Sequence, residues 1–391
     1  MDEYKFSDLD NEILGLNQET INNLQENTLT EKINVFSRDW TVQTIYDQII
    51  QGNIELNPKF QRRNAWNDNK RSLLIESLIL RLPVPELVLA ENHEEDNKFI
   101  VIDGKQRLMT ILGFIDPKQG YWDKNKLSGL EIKKHLNGKS YNDFLSDETL
   151  KDDRRAFENA SIRCTVIFGQ KTDDLLYQIF YRINSGAVPL SMQELRQALR
   201  KGYFSDFLLD ITNEIQPIHK VMGLDKPDDR LVDAEIILKY IAFSLFGEEY
   251  KGDLKKFLDN AMKVINANEG EYKAKIKECY QKLNQSIEKL KLVFGSYDNI
   301  GRLDGDKKFK VNLFEVQALY FADIDEKIIT ERKALFKKGY EEICKTDSEF
   351  VDSFHSSTTT RKNYAKRFKA FENLINSVFD TNFNNKFISY E

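Results

Sequence analysis

Up to about residue 200 the chain mixes two kinds of hydrophobic pattern, and beyond it only one persists. Glu86 to Ala90, Phe99 to Ile102 and Ile162 to Phe168 are short β-prone runs that read as strands. Ahead of them, Lys70 to Leu82 sets Leu74, Leu78 and Leu82 four apart on one helical face, with Asp68 near the cap position. Residues 116–160 are polar and interrupted by Gly120, Gly129 and Gly138, which predicts a surface excursion between two strands. After residue 200 helical spacing runs through Val232 to Phe246, Leu254 to Ile265, Tyr272 to Phe294 and Phe368 to Phe379. In the third of these, Ile276, Cys279, Leu283, Ile287, Leu290 and Phe294 predict one buried seam of a helical bundle. The expected class is α+β: an arm over 1–34, a domain with a small mixed sheet over 35–200, and an all-α domain over 201–391.

Composition narrows the classes. With 41% hydrophobic and 12% aromatic residues, the chain has material for sizeable cores, which excludes disorder for most of it. No apolar stretch reaches membrane-spanning length, and even Ile236 to Phe246 is broken by Lys239. Met1 to Asp10 carries Asp2, Glu3, Asp8 and Asp10 and no apolar h-region, so a secretory signal is not expected and a cytoplasmic location is. Cys164, Cys279 and Cys344 lie far apart, as do His93, His135, His219 and His355, so neither a disulfide framework nor metal-ligand spacing is visible. The thiols read as buried and structural, although a Cys–His pair that meets only in space stays open.

The net charge of -6 argues at first against an anionic ligand. Its distribution reverses that: residues 1–30 hold seven acids against Lys5, so the remainder is balanced. Lys59 to Arg71 is locally basic, and Ser353 to Phe371 carries Arg361, Lys362, Lys366, Arg367 and Lys369 without an acid. In that second stretch Tyr364, Phe368 and Phe371 share one helical face. The cations on the rest of the helix read either as a nucleic-acid-binding surface or as an ordinary solvated face.

The sharpest local signal is Phe99-Ile100-Val101-Ile102-Asp103-Gly104-Lys105-Gln106-Arg107-Leu108. An apolar strand runs into Asp-Gly and a helix begins at once, so Gly104 is placed for positive φ and the first helical amides point beyond the strand's end. This is an anion site by geometry, supported by Lys105 and Arg107. The competing reading makes Asp103 a plain helix N-cap. Upstream lies the extended segment Leu56 to Trp66; downstream, a helix over Thr172 to Ile183 runs into Arg182-Ile183-Asn184-Ser185-Gly186. Leu190-Ser191-Met192-Gln193-Glu194-Leu195-Arg196 follows, where Ser191 and Glu194 have capping-box spacing. Asn184, Ser185 and Gly186 are equally readable as a helix C-cap turn.

Phe60-Gln61-Arg62 with Trp66, Ile102-Asp103-Gly104-Lys105-Gln106-Arg107-Leu108, and Phe180 to Gly186 running to Leu190 to Arg196 occur in an order that resembles the N-terminal domain family of GmrSD-type restriction endonucleases, itself similar to the ParB/sulfiredoxin fold. The resemblance spans about residues 35–200. It implies a ParB/sulfiredoxin-like domain that binds and hydrolyses a nucleoside triphosphate at the Asp-Gly-x-Gln-Arg turn. In that reading Arg107 pairs with phosphate oxygens, Gln106 orients a water, and Asp103 holds Mg²⁺. Gly104 and Lys105 form the turn, Arg62 and Arg182 close on the phosphates, and Asn184 and Glu194 support the metal or the ribose. Gln61, Ser185 and Gly186 belong to the same nucleotide-binding set. Two departures stand out: Lys105 occupies a position that is commonly Gln, and Gly186-Ala187 replaces a usual Gly-Gly.

Several relatives carry an HNH nuclease domain, which needs a His-rich metal site, whereas residues 201–391 offer only His219 and His355. The chain therefore reads as the nucleotide-binding, NTP-hydrolysing component of an anti-phage or restriction-type DNA defence system. Its expected partners are DNA and a separate nuclease or ATPase effector, with a homo-oligomer left open. The alternatives are a non-catalytic DNA-binding module and, third, a nuclease on this domain itself. That last reading needs paired acidic metal ligands, and the motifs supply Asp103 and Glu194 at most.

Overall fold

The computed structural model describes residues 34–54, 56, 66–92, 98–122, 124–169, 179, 191–355, 357–384 and 386–388. They fall into two compact units, one ending at Leu190 and the other running from Ser191. The architecture is α+β, with a four-stranded mixed sheet in the first unit and helices alone among the described residues of the second.

In the first unit β1 (Asn34–Thr41) leads directly into α1 (Val42–Ile50), whose N-cap Thr41 accepts from the Thr44 amide. Helix α2 (Asp68–Ile79) precedes the antiparallel pair β2 (Leu87–Glu91) and β3 (Phe99–Asp103), and α3 (Lys105–Ile115) follows at once. Two short helices, α4 (Tyr141–Ser146) and α5 (Lys151–Glu158), come before β4 (Ser161–Phe168). β4 enters the sheet antiparallel to β1 and parallel to β2, giving the order β1-β4-β2-β3. Leu87, Leu89, Val101, Ile162, Cys164 and Val166 pack into a core with Leu74, Leu78, Leu108 and Ile111, while Val88, Ala90, Ile102 and Ile167 are also buried.

The strand expectations for residues 86–90, 99–102 and 162–168 agree with β2, β3 and β4, whereas β1 lay outside them. Helix α2 differs in detail. Its cap is Asn67, which accepts from the Lys70 amide at 2.9 Å, and it stops at Ile79, leaving Leu82 49% exposed. Asp68 is freed for other work, accepting from Trp122 Nε1 at 3.0 Å.

Residues 116–160 are not a surface excursion. They bury Tyr121, Trp122, Leu127, Leu130, Phe144 and Phe157, and the Phe114 ring lies 5.4–5.9 Å from Trp122, Tyr141, Phe144 and Phe157. Polar residues of α2 make this burial affordable by satisfying the segment's backbone. Glu76 Oε1 accepts from the Ile132 and Lys133 amides at 3.1 and 2.7 Å, Ser72 Oγ accepts from the Ser128 amide, and Arg71 donates to the Tyr121 carbonyl. The segment is polar in sequence because its apolar residues anchor loops and short helices with no sustained period.

The second unit starts with α6 (Met192–Leu199), α7 (Tyr203–Thr212) and α8 (Pro217–Met222). Helix α9 (Val232–Phe246) is buried at every position from Val232 to Phe243, the mark of a central helix. Against it pack α10 (Leu254–Ala267), α11 (Glu269–Phe294) and α12 (Val311–Phe321), and α13 (Glu326–Thr346), α14 (Ser348–Asp352) and α15 (Arg361–Phe379) follow. The expected seam of α11 is buried throughout, from Ile276 to Phe294. No described helix is long and apolar enough to cross a membrane.

Candidate functional site

Strand β3 ends at Asp103 and the chain turns through Gly104 at φ 99°, a left-handed conformation that Gly adopts without the penalty a Cβ would bring. Space also requires glycine here. A Cβ at this position would stand 2.3 Å from Leu87 Cδ2 and 3.1 Å from an Arg107 guanidinium nitrogen. Gly104, not Asp103, is the N-cap of α3, and no side chain caps that end. The plain N-cap reading of Asp103 is thereby excluded, and the positive end of the helix dipole faces the turn.

Asp103 instead meets Arg107 one helical turn on, with Oδ2 and NH2 2.7 Å apart. The same NH2 donates to the Glu86 carbonyl at 2.9 Å, so one nitrogen of the guanidinium carries both bonds. Arg107 is only 9% exposed, yet its Nε has no hydrogen-bond partner, and neither does the buried Gln106 Oε1. A buried, unbonded donor and a buried, unbonded acceptor on successive residues are each costly unless something else meets them. The Asp103 carboxylate keeps 30% of its side-chain surface exposed. Glu86 and Leu87 were missed from sequence because they act through a backbone carbonyl and a methyl group, which no motif records. The Glu86 carboxylate is anchored separately by Thr165 Oγ1 at 2.8 Å.

The turn thus offers an uncapped helix end, one unpaired guanidinium nitrogen and a partly exposed carboxylate, a combination suited to phosphate with a divalent cation. Among the described residues no three His, Cys, Asp or Glu side chains cluster as a metal site, so Mg²⁺ here would rest on Asp103 with phosphate oxygens and water. Gln61, Arg62, Arg182, Asn184, Ser185 and Gly186 lie outside the described residues, as does most of the helix expected over Thr172 to Ile183. Glu194 belongs to α6, where Oε2 accepts from the Ser191 amide at 2.7 Å while Ser191 Oγ accepts from the Glu194 amide, a complete capping box. No thiol is activated: burial pushes Cys164 up to about 12 and Cys279 up to about 11, and raises Cys344 as well.

The basic helix α15 divides. Arg361 and Lys362 are exposed, and Lys366 reaches Glu349 at 3.1 Å. Arg367 corrects the expectation of a nucleic-acid contact, being fully buried. Its NH2 donates to the Thr358 carbonyl and its guanidinium carbon lies 4.3 Å from the centre of the Tyr364 ring. One residue before Phe368 and three after Tyr364, it falls on the inward arc of the helix. A groove of about 670 Å³ beside α15 is lined by Arg361, Lys362, Lys366 and Lys369, with Asp347 and Glu349 among them.

A family model described as the GmrSD restriction endonuclease N-terminal domain matches residues 42–201. No curated protein and no solved structure matches the chain.

Proposed function

We propose that this chain, whose residues 42–201 match the GmrSD restriction endonuclease N-terminal domain, is a restriction-type defence protein whose Gly104 turn binds and hydrolyses a nucleoside triphosphate. The observation that carries this reading is the unpaired pair at the turn, Arg107 Nε and Gln106 Oε1. Arg107 Nε and the amides at the start of α3 bind phosphate oxygens. Gln106 Oε1 accepts from the attacking water and holds it in line, and Asp103 positions the cation. Mg²⁺, when bound, neutralises charge on the phosphates. For Asp103 to face a cation it must release Arg107, so both side chains exchange one partner for another as the ligand enters. The test is phosphate release with ATP, GTP, CTP and UTP in Mg²⁺, comparing wild type with Asp103→Ala and Arg107→Ala. Each variant is expected to lose at least ~100-fold, as for removal of one electrostatic stabiliser of a transition state. Equal release from all three proteins would sink the proposal.

A second reading, DNA binding along the groove of α15, is favoured by the cations Arg361, Lys362 and Lys369. Neutralising these three would lower DNA affinity and reduce its salt dependence by about three phosphate contacts. Affinity indifferent to both salt and the substitutions would dismiss it. A separate effector subunit would then supply cleavage.

A further inference from the structure

The two edges of the sheet are built differently. β3 is blunted, since the Phe99 amide donates to the Asn53 carbonyl at 2.7 Å and Ile54 bridges to Phe99 in parallel. β1 has no neighbour on its outer side among the described residues, and Asn34 to Asp39 are all exposed. Val35 is 54% and Phe36 55% exposed. Its pairing with β4 runs in unbroken register from Asn34 to Thr41, with no bulge and no proline to twist the edge away. Natural edges of this length are normally covered, broken or heavily charged.

We propose that β1 pairs antiparallel with β1 of a second copy, joining two four-stranded sheets into one across a two-fold axis at Ser37. The argument is self-complementarity. A two-fold axis normal to the sheet sets only residues of the same facing opposite one another, which restricts the registers to those centred on a residue. Centring on Arg38 would press two guanidiniums together. Centring on Ser37 pairs the whole exposed stretch and places each Phe36 ring opposite Arg38 of the second copy, a cross-strand cation–π contact made twice. Val35 then faces Asp39, and the two-residue spacing keeps Phe36 beside Phe168, 5.6 Å away within its own sheet. The contact is isologous and closes at two copies, which protects the edge from open-ended pairing.

The test uses the full chain. Opposite residues of an antiparallel pair have Cα atoms about 4.5–5.5 Å apart, inside the range that a disulfide spans. Ser37→Cys is therefore expected to form a linked dimer under mild oxidation on the order of 100-fold faster than Asn34→Cys, whose two copies would sit about 20 Å apart. Sedimentation velocity should show a concentration-dependent dimer for wild type and a monomer for Phe36→Lys, which is exposed enough to leave the fold intact, as circular dichroism would confirm. A wild type that stays monomeric at every concentration would overturn the proposal. So would a dimer that survives Phe36→Lys, or Ser37→Cys linking no faster than Asn34→Cys.

Discussion

Two buried arginines, Arg107 in the first unit and Arg367 in the second, show how differently the two halves use charge. Arg107 sits in the first turn of α3, bonded through one nitrogen and unpaired at Nε, with a partly exposed carboxylate as its neighbour. Arg367, whose Nε and NH1 are likewise without a hydrogen-bond partner, lies within a buried group in which Lys239 Nζ meets Glu315 Oε2 at 2.8 Å and bonds Asn312, while Tyr364 donates to Glu315 at 3.2 Å. A similar set ties Arg196 to Asp259 at 2.7 Å and to Glu235 at 3.4 Å. Burial raises the Glu315 and Glu235 carboxyls and lowers the Lys239 ammonium, with the facing opposite charges pulling each of them back. The lesson is that burial of charge does not by itself mark function. What separates the turn from the bundle core is access: the turn presents its unpaired atoms next to a group open to solvent.

The strongest way to break this contrast is Lys239→Met, which strands Glu315 inside the bundle. A loss of about 3–5 kcal/mol in urea unfolding is expected, shrinking at acid pH as Glu315 takes up a proton, and adding Glu315→Met should recover much of it. Should the single substitution prove nearly neutral, the core charges are not a closed structural set. Next comes Gly104→Ala, which forces positive φ on a Cβ and drives it into Leu87. The expected loss is about 2–4 kcal/mol, read by thermal unfolding, together with loss of any nucleotide-dependent stabilisation. An alanine variant that keeps the nucleotide response would show that the turn's geometry is not what binds.

The smallest effect calibrates the other two. Asp153 is desolvated by burial, but bonds from Lys133 at 2.7 Å and His135 at 2.8 Å outweigh this and hold its carboxyl below the usual range. A depressed folded value contributes stability that is fully present above the unfolded pKa of about 3.9 and is lost as pH falls from there through the lower folded value. Asp153→Asn should therefore cost within about 1 kcal/mol at pH 7 and progressively less as the pH falls below the unfolded value, seen as a flatter acid limb in the pH dependence of unfolding.

Sequence reading reached the strand–turn–helix at Gly104 because an apolar run, a glycine and a helical period fall within a few residues of one another. It reached α9 and the seam of α11 because long helices repeat their period many times. It missed β1, whose residues are nearly all exposed, so that hydrophobic alternation has no buried face to report. Residues 116–160 were misread because their core residues are scattered and their backbone is satisfied by side chains of α2, contacts that span fifty positions or more. Arg367 was readable from helical phase, since it lies on the same arc as Tyr364 and Phe368. The capture of Arg107 by Asp103 was also within reach, as an i, i+4 pair, whereas the role of the Glu86 carbonyl was not.

The parallel pairing of β2 with β4 bears on how the protein is made. Leu87 rests against Cys164 across the sheet, and it is Leu87 that closes the space behind Gly104. On the ribosome, residues 99–115 emerge well before residues 161–168, so the turn is synthesised without the strand that fixes its back wall. Closing so long a loop is an entropic barrier that local helix formation in α3 cannot remove. The Gly104 turn therefore matures late, after β4 has joined the sheet, and a nascent chain halted before that strand carries the motif without its back wall.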